Sequence, residues 1–232
     1  MMEIQSFPNT EQLTAKAASD VAVILDAAIK ERGRATLVLT GGTLGIQILG
    51  DLADQNLDLE KIEIFVGDER YVALDHPDRN EFQSIEAWPE LAGAHFNRFP
   101  ATGRPLDAAA QAASDEFANR FGPIDTASAV FDVVLLGMGP DGHVASLFPG
   151  KQHEMAWVIA EHASPKPPAQ RLSLSYQALN RARNVFFLAS GEGKLEAAKS
   201  AIQDVNSQLP AAKVTGLDLT RWYLDEEISR GL

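Results

Sequence analysis

Residues 131–143 read Phe131-Asp132-Val133-Val134-Leu135-Leu136-Gly137-Met138-Gly139-Pro140-Asp141-Gly142-His143. An apolar run of strand length, residues 131–136, is followed at once by three glycines and a proline. Such short apolar runs are typical of strands that are buried on both faces, as in parallel sheets. The segment predicts a buried strand and a tight turn before a helix, with Asp141 and His143 at the carboxyl end of the strand.

The same alternation of strand and helix patterns extends along the chain in both directions. Apolar or alternating runs predict strands at 35–40, 62–66, 171–175 and 184–189. Helical spacing and capping residues predict helices at 10–32, 44–53, 106–121 and 191–203. Residues 67–80 are predicted to form a polar loop, and the proline-rich residues 165–168 a stiff extended segment. This order predicts an α/β fold with a mainly parallel sheet flanked by helices. Because no repeat or flexible linker is found, we expect one domain spanning residues 1–232.

The amino-acid composition limits the kinds of molecule that the protein is expected to bind. The formal net charge is -12. The electrostatic field of so many negative charges repels nucleic acid and anionic membrane surfaces. An anionic substrate would therefore need cations gathered at one place. The chain has no cysteine, which excludes disulfides and a thiol nucleophile. Without a signal-peptide pattern or a long apolar run, we expect a cytoplasmic protein.

The first predicted strand end carries paired glycines, Gly41 and Gly42, followed by Thr43. Glycines allow main-chain N–H groups to approach a ligand closely, and the start of the following helix favours a phosphate. The alternative is a tight turn that needs glycine only for its backbone geometry. The segment is not a Walker motif, because the Gly-Lys-Ser/Thr element is missing.

A second strand end carries Asp68 and Arg70, and the polar segment after it continues to Asn80. The carboxyl ends of the strands in a doubly wound sheet form the ligand crevice, which makes these side chains candidates for function. A solvated surface loop is the equally simple alternative.

The third strand end carries Asp141 and His143. Histidine is the side chain whose ordinary pKa lies nearest neutrality, so it suits general base catalysis. A structural histidine is the alternative. None of the five histidines shows zinc-ligand spacing, so no metal is implied. Arg171 and Lys194 stand at the ends of later strands, either as ordinary surface cations or as contacts for an anion.

Together these motifs resemble the 6-phosphogluconolactonase family. The resemblance is carried by residues 66–70 (VGDER), 74–78 (LDHPD), 137–150 (GMGPDGHVASLFPG), 164–171 (SPKPPAQR) and 191–194 (GEGK). It implies a modified Rossmann-like sheet, and hydrolysis of 6-phospho-D-glucono-1,5-lactone without a metal or an organic cofactor. It also implies that His143 activates water, while the phosphate is held by Gly41, Gly42, Thr43, Arg171 and Lys194.

Placement suggests roles for the remaining candidates. Asp141 is expected to orient the imidazole, Arg70 to face the developing oxyanion, and Asp68 to hold the Arg70 guanidinium. Asn80 is expected to contact the substrate. The family's usual Gly-Gly-Ser-Thr-Pro loop is altered here to Gly41-Gly42-Thr43-Leu44-Gly45, and Arg79 is expected to add a cation near the crevice.

Two rival functions and the oligomeric state stay open at this point. Glucosamine-6-phosphate deaminases look similar around the histidine loop, but Phe148 occupies the position of their glutamate. A phenyl ring cannot share a proton with histidine, which disfavours the deaminase. A non-catalytic sugar-phosphate-binding protein on the same fold is supported only by the altered first loop. The sequence is compatible with a monomer or a dimer.

Overall fold

The computed structural model describes residues 1–125 and 128–232. Its strands are β1 (Met2–Phe7), β2 (Ala35–Leu39), β3 (Ile62–Val66), β4 (Asp68–Arg70), β5 (His95–Phe96), β6 (Phe131–Gly137), β7 (Val158–Glu161), β8 (Arg171–Leu174), β9 (Ala182–Ala189) and β10 (Leu219–Asp225). Its α-helices are α1 (Thr10–Arg32), α2 (Gly42–Ala53), α3 (Asn80–Ala87), α4 (Leu106–Phe121), α5 (Tyr176–Leu179), α6 (Leu195–Gln203) and α7 (Glu226–Ser229).

Seven strands form one parallel sheet in the order β1-β10-β9-β6-β2-β3-β5. All five residues of β2 are buried, as are six of the seven residues of β6. This full burial explains why both strands are continuous apolar runs rather than alternating ones. The predicted α/β fold with a mainly parallel sheet flanked by helices is confirmed.

The first helix shows how local sequence positions the layers. Leu13, Ala17 and Val21 recur at helical spacing and are completely buried. The Asn9 side chain accepts a hydrogen bond from the Gln12 N–H at 2.9 Å, which satisfies a free donor at the start of the helix. The helix ends at Arg32, as its sequence pattern predicted, and packs against α2 and the large sheet.

A second, smaller sheet has the antiparallel order β4-β8-β7. Helix α4 packs against it and places Phe117 within 5.7 Å of Phe65 from β3, measured between ring centroids. The Trp157 ring lies 5.6 Å from Phe117, and its indole N–H donates to the Gly122 carbonyl oxygen. This aromatic cluster joins α4, the large sheet and the edge of the small sheet.

Three local expectations are wrong. Residues 138–150 form consecutive turns instead of a helix, closed by a hydrogen bond from the Gly139 N–H to the His143 carbonyl oxygen. The proline-rich segment 165–168 is a bend, because β7 and β8 are antiparallel and the chain must reverse between them. The predicted polar loop 67–80 contains the short strand β4, which pairs with β8.

The parallel arrangement brings four adjacent strand ends together. The carboxyl ends of β9, β6, β2 and β3 lie side by side, followed by Lys194, His143, Gly41 and Asp68 respectively. Segments distant in sequence therefore meet at one edge of the sheet.

None of the helices among residues 1–125 and 128–232 has the length and apolar character that crossing a bilayer requires.

Candidate active site

A crevice of about 470 Å³ opens at this edge of the sheet. Most of its lining comes from the loops that follow β2, β3, β6 and β9, and Lys166 comes from the bend between β7 and β8. Of the residues predicted from sequence to form the site, the structure places these in its lining: Gly41, Gly42, Thr43, Asp68, Arg70, Asn80, His143 and Lys194.

His143 and Asp141 form a close pair. The imidazole Nδ1 lies 2.5 Å from Asp141 Oδ1, and the His143 N–H donates to the same oxygen. Because an ionised carboxylate only accepts hydrogen bonds, the neutral form of the imidazole carries its proton on Nδ1, which leaves the lone pair of Nε2 free. Partial burial opposes ionisation of Asp141, but the hydrogen bonds from His143 outweigh it and lower the pKa of the carboxyl.

The turn after β6 fits tightly around the imidazole. A Cβ atom on Gly139 would lie 2.1 Å from both Cε1 and Nδ1 of His143, so a residue with a side chain cannot occupy this position without displacing the ring. The Phe148 ring centroid lies 4.8 Å from that of His143. The ring is thus held between the turn and an aromatic neighbour.

Arg70 is held by α3 rather than by Asp68. Its Nη1 donates to the side-chain oxygen of Asn80 at 2.6 Å and to the main-chain oxygen of Asp78 at 2.7 Å. The expectation that Asp68 holds the guanidinium is wrong, because Asn80 bridges the two side chains. The Asn80 amide nitrogen donates to the Asp68 main-chain oxygen at 2.7 Å and to its carboxylate at 3.2 Å.

The Asp68 carboxylate instead links β4 to the histidine loop. The Ser146 hydroxyl, which is buried, donates to Asp68 Oδ2 at 2.6 Å. The sequence by itself favours only a capping or packing role for Ser146. Its partner lies 78 positions away, and such a contact has no local signal in the sequence.

Arg79 does not supply the expected crevice cation. Its guanidinium is completely buried beside Glu69 and Glu81, and it donates to the Phe99 carbonyl oxygen at 2.8 Å. Two nearby carboxylates balance the charge of the buried guanidinium, so this arginine belongs to the interior behind the site.

The first glycine loop packs against the second loop. A Cβ atom on Gly41 would lie 2.1 Å from the side-chain oxygen of Asn80, so Gly41 permits the close approach of α3. The Thr40 hydroxyl accepts a hydrogen bond from the Gly137 N–H and ties the β2 loop to β6. The Leu44 side chain in this loop is almost entirely buried.

Two lysines line the crevice, and one of them was not predicted. Burial lowers the pKa of Lys194; the nearby Lys166 also lowers it, while Asp225 opposes the shift. Lys166 is exposed and lies in the bend between β7 and β8. Its segment had been noted for its prolines and for the resemblance, but a surface lysine in a loop carries no signal of its own.

Arg171 acts on the loop rather than on the crevice. Its side chain is buried and does not belong to the described residues that line the cavity. Nε donates to the Pro168 carbonyl oxygen at 2.7 Å, and Nη2 donates to the Lys166 carbonyl oxygen at 3.1 Å. Nη1 lies 3.9 Å from Asp68 Oδ2. Arg171 therefore fixes the bend that carries Lys166.

The side chains of residues 1–125 and 128–232 include no group of three or more His, Asp or Glu arranged to hold a metal ion. Metal-free chemistry was expected from the sequence, and that expectation stays a prediction.

Comparison with known proteins shows which family the chain resembles in sequence and structure. The family model of glucosamine-6-phosphate isomerases/6-phosphogluconolactonase matches residues 8–222. A 6-phosphogluconolactonase of Mycobacterium tuberculosis is 38% identical over 242 residues, covering 99% of this chain and 98% of the relative. The solved structure of a 6-phosphogluconolactonase from Trypanosoma brucei has a TM-score of 0.86 at 26% identity, covering 100% of this chain and 99% of the other.

A solved monomeric glucosamine-6-phosphate deaminase has a TM-score of 0.78 at 21% identity, with 100% of both chains covered, which shows a shared fold alone. The chain belongs to the family of glucosamine-6-phosphate isomerases and 6-phosphogluconolactonases, and the family predicted from its motifs is confirmed.

Proposed function

We propose that this chain hydrolyses 6-phospho-D-glucono-1,5-lactone to 6-phospho-D-gluconate, a reaction of the pentose phosphate pathway. It does so in the cytoplasm, as a monomer or a dimer, without a metal or an organic cofactor. The observation that carries the proposal is the His143–Asp141 pair, set in a crevice that Lys194 and a glycine loop also line. The M. tuberculosis relative, similar over nearly its whole length, is named for this activity.

His143 is the general base. Its free Nε2 takes a proton from a water molecule as the water oxygen forms a bond to C1 of the lactone. The C1–ring oxygen bond of the tetrahedral intermediate then breaks, and the proton passes from the imidazolium to the departing ring oxygen. Asp141 keeps the proton on Nδ1 and stabilises the transient imidazolium. No covalent intermediate is needed, because a lactone carbonyl is already electrophilic.

Arg70 faces the developing oxyanion. Its Nη1 is fully engaged with Asn80 and Asp78, which fixes the plane of the guanidinium. Its Nε is buried and has no hydrogen-bond partner within the described residues. The positive charge of this fixed guanidinium at the crevice wall is suited to stabilising negative charge that appears only in the transition state.

The phosphate is bound at the Lys194 side of the crevice. Lys194 and Lys166 provide two cations there, and the loop of Gly41, Gly42 and Thr43 provides main-chain donors at the start of α2. Arg171 supports this site by holding the main chain around Lys166. In this way a chain of net charge -12 presents a locally positive surface to a dianion.

The environment of His143 argues against the deaminase reaction. The aromatic ring of Phe148 lies beside the imidazole, where the rival family would place a carboxylate. A phenyl ring neither donates nor accepts a proton.

The deciding experiment is turnover of freshly prepared 6-phospho-D-glucono-1,5-lactone, measured against its spontaneous opening. We expect acceleration of several orders of magnitude. Binding of 6-phospho-D-gluconate with no acceleration would identify a non-catalytic sugar-phosphate-binding protein instead. Release of ammonia from glucosamine 6-phosphate would identify the deaminase.

A further inference from the structure

One completely buried carboxylate beside the crevice has no part in the mechanism above. Glu69 lies between Asp68 and Arg70 on β4. Successive side chains of a strand point to opposite faces, so Asp68 and Arg70 face the crevice while Glu69 points away from it. Burial raises the pKa of Glu69 even though Arg79 and three main-chain N–H groups oppose the shift.

Both oxygens of Glu69 are used to fix the chain around the start of α3. Oε1 accepts from the Asn80 N–H at 2.7 Å and from the Arg70 N–H at 2.8 Å. Oε2 accepts from the Glu81 N–H at 3.0 Å. The residue before the helix, Arg79, gives no side-chain cap. Glu69, a residue of β4, therefore caps the N-terminus of α3. Its negative charge lies at the end of the helix where the helix dipole favours a negative charge.

The residue placed by this cap is Asn80, the first residue of α3. Its side-chain oxygen accepts from Arg70 at 2.6 Å, and its amide nitrogen donates to the Asp68 main chain at 2.7 Å. On its other side it lies against Gly41, where even a Cβ atom would not fit. The direction of the Arg70 guanidinium thus depends on where α3 begins, and Glu69 fixes that point.

We propose that Glu69 is a positioning residue, which sets the Arg70 guanidinium for the reaction by fixing the start of α3 and hence the Asn80 side chain. This proposal rests on the proposed lactonase function for its kinetic consequence. Glu69 also balances part of the charge of the buried Arg79 guanidinium, so its loss should lower stability too, and kcat is the quantity that separates positioning from a purely structural role.

The central test is Glu69→Gln, with Glu81→Gln as its matched control. The amide keeps the size of the side chain but loses the charge and exchanges one acceptor for a donor. Because small misplacements of catalytic groups are costly, we expect kcat to fall by about ten- to a hundred-fold while KM changes by less than about three-fold. Glu81 is also buried, and its carboxylate pairs with Arg79 and Arg98 rather than with Asn80 or Arg70. Glu81→Gln should lower stability and leave kcat unchanged.

A double-mutant cycle tests whether Glu69 acts on Arg70 through Asn80. If Glu69 acts through Asn80, adding Glu69→Gln to Asn80→Ala should leave kcat as it is in Asn80→Ala alone. Additive losses, or equal losses in Glu69→Gln and Glu81→Gln, would overturn the proposal. Glu69→Asp replaces Glu69→Gln if the latter does not fold, with the same expectations because the shorter side chain cannot reach α3.

A structural readout separates this proposal from the proposed function. In NMR spectra of ¹⁵N-labelled protein, Glu69→Gln should shift the Arg70 Nε–H and the Asn80 side-chain amide signals, while Glu81→Gln should leave them in place. A parental protein without lactonase activity would refute the proposed function, and these signals would still test the positioning. Unchanged signals in Glu69→Gln would refute the positioning by Glu69.

Discussion

At the scale of single residues, the groups that hold His143 decide its chemistry. The Asp141 carboxylate accepts a hydrogen bond from Nδ1 of the imidazole. Gly139 leaves space for the ring, and the Phe148 ring covers one side of it. These three contacts all come from the loop that follows β6, so the imidazole is oriented locally. Nε2 is then the atom available to the substrate water.

His143→Asn tests that assignment. Asparagine keeps a side-chain polar group of similar reach but cannot accept a proton at neutral pH. We expect kcat for the phosphorylated lactone to fall by about a hundred-fold or more, with the fold intact by circular dichroism. The affinity for 6-phospho-D-gluconate, measured by calorimetry, should remain near the parental value. Parental turnover in this variant would show that His143 is not the base.

The lowered pKa of Lys194 predicts a pH dependence of phosphate binding. Burial and the nearby Lys166 favour the neutral amine, so Lys194 loses its proton below the ordinary lysine value of 10.5. Its charge attracts the phosphate at neutral pH and disappears as the pH rises through this lowered pKa. Affinity for 6-phospho-D-gluconate should therefore start to decrease at a lower pH than it would if Lys194 had the ordinary lysine pKa of 10.5.

Calorimetric titrations with the product avoid the spontaneous opening of the lactone in alkali. Lys194→Met is the matched control: it should bind the product weakly at pH 7 and lose this pH dependence. It should also raise KM for the phosphorylated lactone by roughly ten- to a hundred-fold and leave turnover of unphosphorylated glucono-1,5-lactone unchanged. A pH profile identical in the parent and in Lys194→Met would show that another group is responsible.

Residue contacts mark the limit of what the sequence could predict about the site. Position at a strand end was sufficient to select His143, Asp68, Arg70 and Lys194, because parallel strands bring their carboxyl ends to one edge. The hydrogen-bond partners of these side chains could not be predicted from the sequence in the same way. The pairing of Asp68 with Ser146, and the place of Asn80 between Asp68 and Arg70, depend on where distant loops pack in three dimensions.

At the scale of elements, strongly patterned segments were predicted correctly and mixed ones were missed. The bounds of α1 and α4 agree with the structure, since caps and helical spacing act locally. β1 is an edge strand with alternating exposure, and no strand was predicted there. β10 contains the polar residue Arg221, whose charge is balanced by Asp20 and Glu3 in other elements. That compensation cannot be inferred from the strand itself.

The turn after β6 supplies a prediction at this scale. In Gly139→Ala the added methyl group would meet the His143 ring at 2.1 Å, so the imidazole must move. We expect kcat to fall by roughly a hundred-fold while product affinity is retained, because the phosphate is bound elsewhere in the crevice. Gly50→Ala in α2 is the control, since a Cβ there meets nothing within 4 Å. Equal kcat values for both variants would contradict the tight fit.

At the scale of the whole molecule, the site depends on both sheets. β4 and β8 of the small sheet carry Asp68, Arg70 and Arg171, whereas His143 and Lys194 follow strands of the large sheet. The aromatic contacts of α4 connect the two sheets through Phe65 and Trp157. If the sheets separated, Arg70 would leave the crevice. We therefore propose that residues 1–232 fold as one cooperative domain.

Two tryptophans allow this to be measured. Trp157 directly precedes β7 of the small sheet, and Trp222 lies in β10 of the large sheet, stacked on Phe187 with ring centroids 4.0 Å apart. In single-tryptophan variants made by Trp→Phe changes at Trp88 and at one of the other two, urea unfolding is followed by fluorescence and by far-ultraviolet circular dichroism. For one domain, both signals should have the same midpoint within each variant, whichever tryptophan remains. Because every variant is compared with its own dichroism curve, destabilisation by the substitutions does not affect the test. A Trp157 fluorescence transition at lower urea than the dichroism transition would show that the small sheet unfolds separately, and the single domain would be wrong.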